Sequence, residues 1–338
     1  RGGPAGLAAL FFLHAGDGGA MSASLKSCSD EEFLRLWGEH KSAAKLAKIL
    51  GIGERRVHTR RRQIEKTWGL RLEAGGSTRT LHYELDKHSA IKTLEIENGV
   101  VLVGSDAHYW KDIVTPAHRA FVAFIRAMQP TAVILNGDVL DGATISRFAP
   151  IGWTDADKPS LVQEIETCQG RLTEIEDACG KTCEKIWTLG NHDGRFETKL
   201  ATAAPQYIKI QGAHLKDHFP AWKSAWMCSI NNDVMIKHRL KGGTHAAHNN
   251  TVTAGKTMVT GHTHQLEVKP FSDYGGLRWG VQTGTLADCY GPQTVDYTEL
   301  APVNWASGFV VLTFRGGKLL WPEVVHVLSA DEVEFRGD

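Results

Sequence analysis

TAVILNGDVLDG, from Thr131 to Gly142, is the stretch that decides the fold. Ala132 to Leu135 are all apolar, Asn136 and Gly137 break the run, and carboxylates follow at Asp138 and Asp141. A short continuous apolar run closed by a turn signal reads as a strand buried on both faces. Two other stretches have the same form: GVVLVGSDAH, Gly99 to His108, and KIWTLGNHD, Lys185 to Asp193. Helical patterns separate them, HRAFVAFIRAM (His118 to Met128) and residues 159–178. This β-α-β-α-β alternation predicts an α/β domain with a largely parallel inner sheet. DVMIKH, KTMVTGHTH, LRWGVQTGTL and GFVVLTF predict further strands downstream.

Each strand ends in residues of metal-ligand type. The first yields Asp106 and His108, the second Asp138 and Asp141, the third Asn191 and His192. Later runs yield His238, then His262 and His264. In open α/β sheets, sites form beyond the carboxyl ends of the strands, so clusters far apart in sequence can converge there. The Asp-x-His and His-x-His spacings suit short loops in which alternate side chains face one cavity. Mixed carboxylate, imidazole and amide donors suit Mn²⁺, Zn²⁺ or iron better than Ca²⁺ or Mg²⁺. For any single histidine among 16 the bland alternative is a satisfied core or surface residue. A bland turn would use Asn191 and Asp193 but has no need of His192.

The 338 residues allow about two domains. At 42% hydrophobic and 22% charged the composition is that of a folded globular chain. The net charge is zero, but Lys26 to Arg71 holds 12 Lys/Arg against 6 Asp/Glu, so a basic module is joined to an acidic body. Within it, DEEFLRLWGEH, SAAKLAKIL and ERRVHTRRRQIEKTW predict three short helices, with Asp30 and Ser42 as caps and GIG as the break. Phe33, Leu34, Trp37, Leu46, Ile49, Leu50, Val57, Ile64 and Trp68 are the expected apolar positions. A helix, a glycine-containing turn and a basic second helix form a helix-turn-helix signature. Arg55, Arg56, Arg60, Arg61 and Arg62 are then candidate DNA phosphate contacts; a small packing module with a solvated basic face is the alternative. The expected divisions are a disordered leader over residues 1–20 with Met21 as the natural start, the helix-turn-helix domain over 21–70, a linker over 71–95, and the catalytic domain over 96–338. The six cysteines (Cys28, Cys168, Cys179, Cys183, Cys228, Cys289) form no CxxC pair and read as reduced thiols, which places the protein in the cytoplasm. The early apolar run, Leu7 to Leu13, is too short to span a bilayer, and no membrane partner is expected.

Taken together and in order, Asp106-x-His108, Gly137-Asp138-x-x-Asp141, Gly190-Asn191-His192-Asp193 and Gly261-His262-x-His264 resemble the motifs of calcineurin-like metallophosphoesterases. The resemblance covers roughly residues 98–325, and the added helix-turn-helix is similar to phage and prophage phosphoesterases. It implies a β-sandwich flanked by helices around two divalent metal ions, Mn²⁺ first, with Zn²⁺ or Fe as alternatives. Asp106, His108 and His264 would hold one ion, Asn191, His238 and His262 the other, and Asp138 would bridge them. His192 would protonate the leaving oxygen, and Asp141 would orient His192. Two positions depart from the family pattern. His238 is followed by Arg239 where the family has glycine, which leaves His245 as an alternative ligand and, with Lys241 and His248, a candidate substrate contact. Gly142 stands where phosphoprotein phosphatases carry a phosphate-gripping arginine. That argues for phosphodiester cleavage, plausibly of nucleic acid delivered by the basic module, which would work as a homodimer on paired half-sites. A small-molecule phosphatase or cyclic-nucleotide phosphodiesterase is the alternative enzyme. A DNA-binding regulator with a vestigial metal site is the alternative outside enzymes. Trp279, Tyr290 and Trp305 read as core rather than as base-stacking platforms.

Overall fold

The computed structural model describes residues 28–70, 72, 88–147, 158–291, 294, 298–299 and 301–337. The expected leader and most of the expected linker lie outside them. The chain divides into two compact units, Arg1–Asp86 and Lys87–Asp338. None of the described helices is long and apolar enough to cross a membrane.

In the first unit the described residues form α1 (Asp30–His40), α2 (Ala43–Leu50) and α3 (Glu54–Trp68). Ser29, not Asp30, caps α1 by accepting from the Glu32 N–H, and Ser42 caps α2. Gly51 ends α2 at φ 66°, the left-handed conformation a non-glycine residue adopts only at a cost. Phe33, Leu36, Trp37, Leu46, Val57 and Ile64 form a closed apolar cluster. Leu34 and Leu50 pack at its margin, whereas Ile49 and Trp68, expected inside, are about half exposed.

The second unit is built on two sheets. Its elements in chain order begin with β1 (Lys92–Leu94), β2 (Gly99–Gly104), α4 (Pro116–Met128), β3 (Ala132–Leu135), α5 (Leu161–Ala178), β4 (Glu184–Thr188) and α6 (Asp193–Ala203). They continue with β5 (Lys223–Ala225), β6 (Cys228–Ile230), β7 (Val234–Ile236), α7 (Ala246–Ala254), β8 (Thr257–Thr260), β9 (Leu266–Asp273) and β10 (Gly276–Thr283). The chain closes with β11 (Gly308–Arg315), β12 (Lys318–Leu319), β13 (Glu323–Val327) and β14 (Val333–Glu334). Residues 88–95, expected as the end of a linker, instead include Lys92–Leu94, which pairs with Cys228–Ile230 in the smaller sheet.

The larger sheet runs β14-β13-β11-β2-β3-β4-β5, with β12 on β11. Its β2, β3, β4 and β5 are parallel, because α4, α5 and the segment containing α6 carry the chain back between them. The smaller runs β1-β6-β7-β8-β10-β9. Strand alternation builds two cores. Val101, Val103, Ile134, Ile186, Val310 and Leu312 face the smaller sheet and meet Ile236, Val259 and Val281. Leu102, Val133, Leu135, Trp187, Phe309 and Val311 face the opposite way and meet Phe121, Ile125, Leu172 and Ile175 of α4 and α5. Both faces of the larger sheet are covered at its centre, so β2 and β3 are apolar without alternation.

Register is what matters for function. Gly104 pairs with Leu135, and Leu135 with Trp187, so β2, β3 and β4 end side by side. In the smaller sheet Ile236 pairs with Val259, and Val259 with Val281. The loops after β2, β3, β4, β7 and β8 therefore leave from aligned strand ends.

Candidate metal centre

Those five loops converge. Asp106, His108 and His264 offer ligand atoms within 4.8 Å of one another, and so do Asp138, His238 and His262. A third set, His108, Asp138 and His192, shares a member with each. The loops are tied across the sheets. The His262 N–H donates to Asp106 at 2.9 Å, and His238 Nδ1 lies 2.8 Å from the carbonyl of Asn136. That second contact leaves Nε2 of His238 facing the cluster, 3.0 Å from Asp138 Oδ2 but outside hydrogen-bond geometry.

The backbone is turned at the ligands themselves. Asp106, His108, Asp138, His262 and His264 all have positive φ, between 39° and 68°. Each such residue costs on the order of 1–3 kcal/mol and persists only where its surroundings enforce it. Asp193 is one such enforcer. Its buried carboxylate accepts from the N–H groups of Asp138 (2.9 Å), Val139 (3.0 Å), Leu140 (3.1 Å) and Gly190 (2.8 Å), and from Trp187 Nε1 (2.9 Å). One side chain thus holds the loops after β3 and β4 together. Gly190 permits the approach, since a Cβ there would sit 2.1 Å from Asp138 Oδ1. Glu164 supports the next turn by accepting from the N–H groups of Gly142 and Ala143 at 2.6 and 3.0 Å.

Burial opposes ionisation of Asp106, Asp138 and Asp141, but the neighbouring histidines outweigh it and hold all three carboxyls below the usual range. His238 is the counterpart. Burial disfavours its charge, yet Asp138 and Asp106 push it up to about 9. His262 is held below its ordinary value by burial and by His238. The carboxylates therefore create a strong demand for positive charge at the centre of the cluster. Two buried atoms, Asn191 Oδ1 and His238 Nε2, lack hydrogen-bond partners. Buried polar atoms without partners cost about 1–3 kcal/mol each. An amide oxygen left without a donor among carboxylates and imidazoles belongs to the donor set that Mn²⁺, Zn²⁺ or iron accepts, and a cation would take the place of the His238 proton, so the residues fit a metal.

His192 lies beside this cluster rather than within either outer set. Its Nδ1 is 2.8 Å from the Asp141 carbonyl and 3.2 Å from Asp141 Oδ1. Burial opposes its charge, but Asp141 and Asp138 raise it above the ordinary value. Asp141 touches a second ring as well. Its Oδ1 also lies 2.8 Å from His108 Nδ1, which leaves Nε2 of His108 as the atom that could hold a metal.

Of the two alternatives in the fourth block, His238 is buried among the ligands. His245 is exposed at the start of α7 and joins none of the three sets, and Lys241 is exposed as well. Trp279 is buried, whereas Tyr290, expected in the core, is 74% exposed. Trp305, also expected in the core, packs its ring 4.4 Å from that of His264. Two residues at the site went unread in the sequence. Glu164 falls on the apolar face of α5 with Ile165, Cys168 and Leu172, and an acid at such a position is the available signal. Arg195 stands three residues after His192, one helical turn on. Its NH2 is 2.9 Å from His192 Nε2 and its NH1 donates to the Asp141 carbonyl at 2.9 Å.

In the first unit the five candidate arginines separate. Arg60 pairs with Asp30 and lies over the Phe33 ring, and Arg61 pairs with Glu65 and lies over Trp37. Arg55, Arg56 and Arg62 are exposed.

No protein-family model matches the chain. It is 27% identical over 236 residues to the Gene 54 proteins of Mycobacterium phages L5 and D29, covering 62% of this chain and 87% of each relative. Among solved structures it is similar to Vacuolar Protein Sorting 29 from Cryptosporidium parvum (14% identity, 70% of this chain and 97% of that one, TM-score 0.39). It is also similar to an archaeal phosphodiesterase (17%, 67% and 99%, TM-score 0.34) and to a dimetal phosphatase from Danio rerio (11%, 71% and 98%, TM-score 0.34).

Proposed function

We propose that the chain is a metal-dependent phosphoesterase that hydrolyses phosphodiesters, with nucleic acid as the substrate class. The observation that carries this reading is the pair of three-residue ligand sets, Asp106/His108/His264 and Asp138/His238/His262, linked through His108 and Asp138. Two such sets side by side suit a two-ion centre, with Asn191 adding its open Oδ1 and Asp138 placed between the sets. Two divalent ions, Mn²⁺ or else Zn²⁺ or Fe, would supply charge for a phosphate ester and an acidified water. The chain's own residues do the rest. Asp193 and Glu164 hold the loops, Asp141 fixes the rings of His108 and His192, and His192 is the acid–base group for the leaving oxygen.

The amino-terminal helices we assign as a helix-turn-helix module that brings the site to DNA. Arg55, Arg62 and Lys66 recur at helical spacing on the exposed face of α3, with Thr59 and Gln63 between them, and such a stripe suits phosphate contacts. Arg56 flanks this stripe. Homodimers on paired half-sites and a cytoplasmic location accompany this reading.

The test is a substrate panel on metal-stripped protein reloaded with Mn²⁺, Zn²⁺, Fe²⁺ or Mg²⁺. It covers an aryl phosphomonoester, an aryl phosphodiester, and single- and double-stranded DNA. Metal-dependent turnover of the diester and of DNA is expected. Diester turnover without DNA cleavage would move the substrate to small diesters. No turnover with any metal would overturn the enzyme and leave a DNA-binding regulator.

A further inference from the structure

Arg195 is anchored in an unusual way for a half-buried arginine. Its guanidinium spans the Asp141 carbonyl (2.9 Å) and His192 Nε2 (2.9 Å), a backbone oxygen and a ring nitrogen and no carboxylate. Among the described residues no carboxylate forms an ion pair with it. Yet Asp141 and Glu164 are close by: burial and Asp141 raise the Glu164 carboxyl, and the Arg195 charge acts against them. The side chain runs across Gly142, where a Cβ would come within 3.3 Å of Arg195 Cδ. Gly142, with φ at 65°, leaves room beside this path. His192 Nε2 is 3.9 Å from Asp138 Oδ2, so the guanidinium stands one ring away from the ligand cluster.

A guanidinium carries five donors in a planar fork that matches two oxygens of a phosphate. Charge-assisted bonds to phosphate are roughly twice as strong as bonds to neutral acceptors. An ester phosphate held at the cluster therefore offers Arg195 better acceptors than the ones it has. We propose that Arg195 is the phosphate-gripping residue of this site, exchanging His192 Nε2 for non-bridging oxygens of the substrate. It remains tethered to the Asp141 carbonyl while it does so. The exchange uncovers His192 Nε2 on the side that faces the cluster, at the moment substrate is bound. This rests on the phosphoesterase reading and adds the residue that recognises the phosphate.

The experiment compares metal-loaded full-length wild type with Arg195→Gln and Arg195→Lys. It measures KM and kcat on an aryl phosphodiester, inhibition by inorganic phosphate, metal content and melting temperature. For R195Q we expect KM and the phosphate inhibition constant to rise tenfold or more, with metal content unchanged and kcat falling less than affinity. R195K, which keeps the charge and loses the fork, should fall between. Guanidinium added to Arg195→Ala should restore part of the phosphate affinity, which a purely structural role would not allow. If KM and phosphate inhibition stay within twofold of wild type in a folded R195Q or R195K, Arg195 does not grip phosphate. A wild type that neither turns over the diester nor binds phosphate with any metal would instead overturn the phosphoesterase reading itself.

Discussion

Asp193→Asn tests how the site is held. The carboxylate receives five N–H groups, three at Oδ2 (Asp138, Trp187, Gly190) and two at Oδ1 (Val139, Leu140). An amide has one oxygen. Whichever way it turns, at least two buried donors lose their acceptor and confront a new NH₂ group. An orphaned buried donor costs about 1–3 kcal/mol, so the loss is about 2–6 kcal/mol. A partial offset exists. Burial and the Asp138 carboxylate push the Asp193 carboxyl up, so a neutral side chain relieves some repulsion and the result should sit toward the lower end. In a unit this size each kcal/mol moves the melting temperature by roughly 2–4 °C, which predicts a fall of about 5–15 °C. The same donors position Asp138 and Asn191, so bound metal should drop before the fold fails. The assay is calorimetric melting beside metal analysis of the purified variant. A melting temperature within about 2 °C of wild type, together with a full metal load, would refute the claim that this carboxylate organises the site.

Other changes separate the remaining roles. His192→Ala should lower diester turnover by about 10²–10⁴-fold while metal analysis stays at the wild-type value; unchanged turnover would remove His192 from the chemistry. Asp138→Ala, which takes away the residue common to two ligand sets, should abolish metal retention, and recovery of both ions after dialysis would contradict its central place. Glu164 gives a pH signature. Burial, then Asp141, raises its carboxyl from 4.5 to about 7, so the native state keeps a proton that the unfolded chain has lost. Stability therefore falls as pH rises from about 4.5 to 7 and levels off above, by about 3 kcal/mol in all. Glu164→Gln should flatten this part of the curve in urea titrations, and parallel curves for the two proteins would count against the assignment. In the amino-terminal unit, Arg55→Ala with Arg62→Ala should weaken DNA binding and reduce its salt dependence without lowering helix stability. Arg60→Ala, which breaks the tie to Asp30 and the contact with Phe33, should lower the unit's melting temperature instead.

The fold was legible where strands are buried on both faces. Val133 to Leu135 and Val101 to Val103 are apolar at every position because one core lies on each side of the sheet, and no amphipathic alternative competes with that pattern. The ends of those strands were legible for a different reason: Asp106, His108, Asp138 and His192 are residue types that a buried strand terminus does not otherwise tolerate. Short strands such as Lys92–Leu94 were not legible, since three residues carry no period and their pairing with Cys228–Ile230 is set 136 positions away. Trp305 shows the same limit. An aromatic ring reads as core by composition, and only the path of the chain places it against His264.

The contrast between Arg60 and Arg62 shows why charge in a sequence underdetermines function. Both sit in one basic run, two residues apart, and a helix turns about 200° over that interval. Arg60 is carried back toward Phe33 and Asp30, where its stem covers the apolar cluster and its charge is spent internally. Arg62 is carried outward. The same geometry acts in the stretch around His192, with the opposite result. Arg195 follows by three residues, so the helix returns it to the histidine's side, and the smallest residue available at position 142 leaves room beside the path of its side chain. A guanidinium one turn beyond a histidine at a helix start is thus a readable signal for a shared site, provided the first turn of the helix is known to begin there. Asp193 fixes that beginning by drawing the N–H groups of two loops onto one carboxylate. Asp193 thus ties the start of the helix that carries Arg195 to the loop that carries Asp138, and a change there should disturb phosphate recognition as well as metal retention.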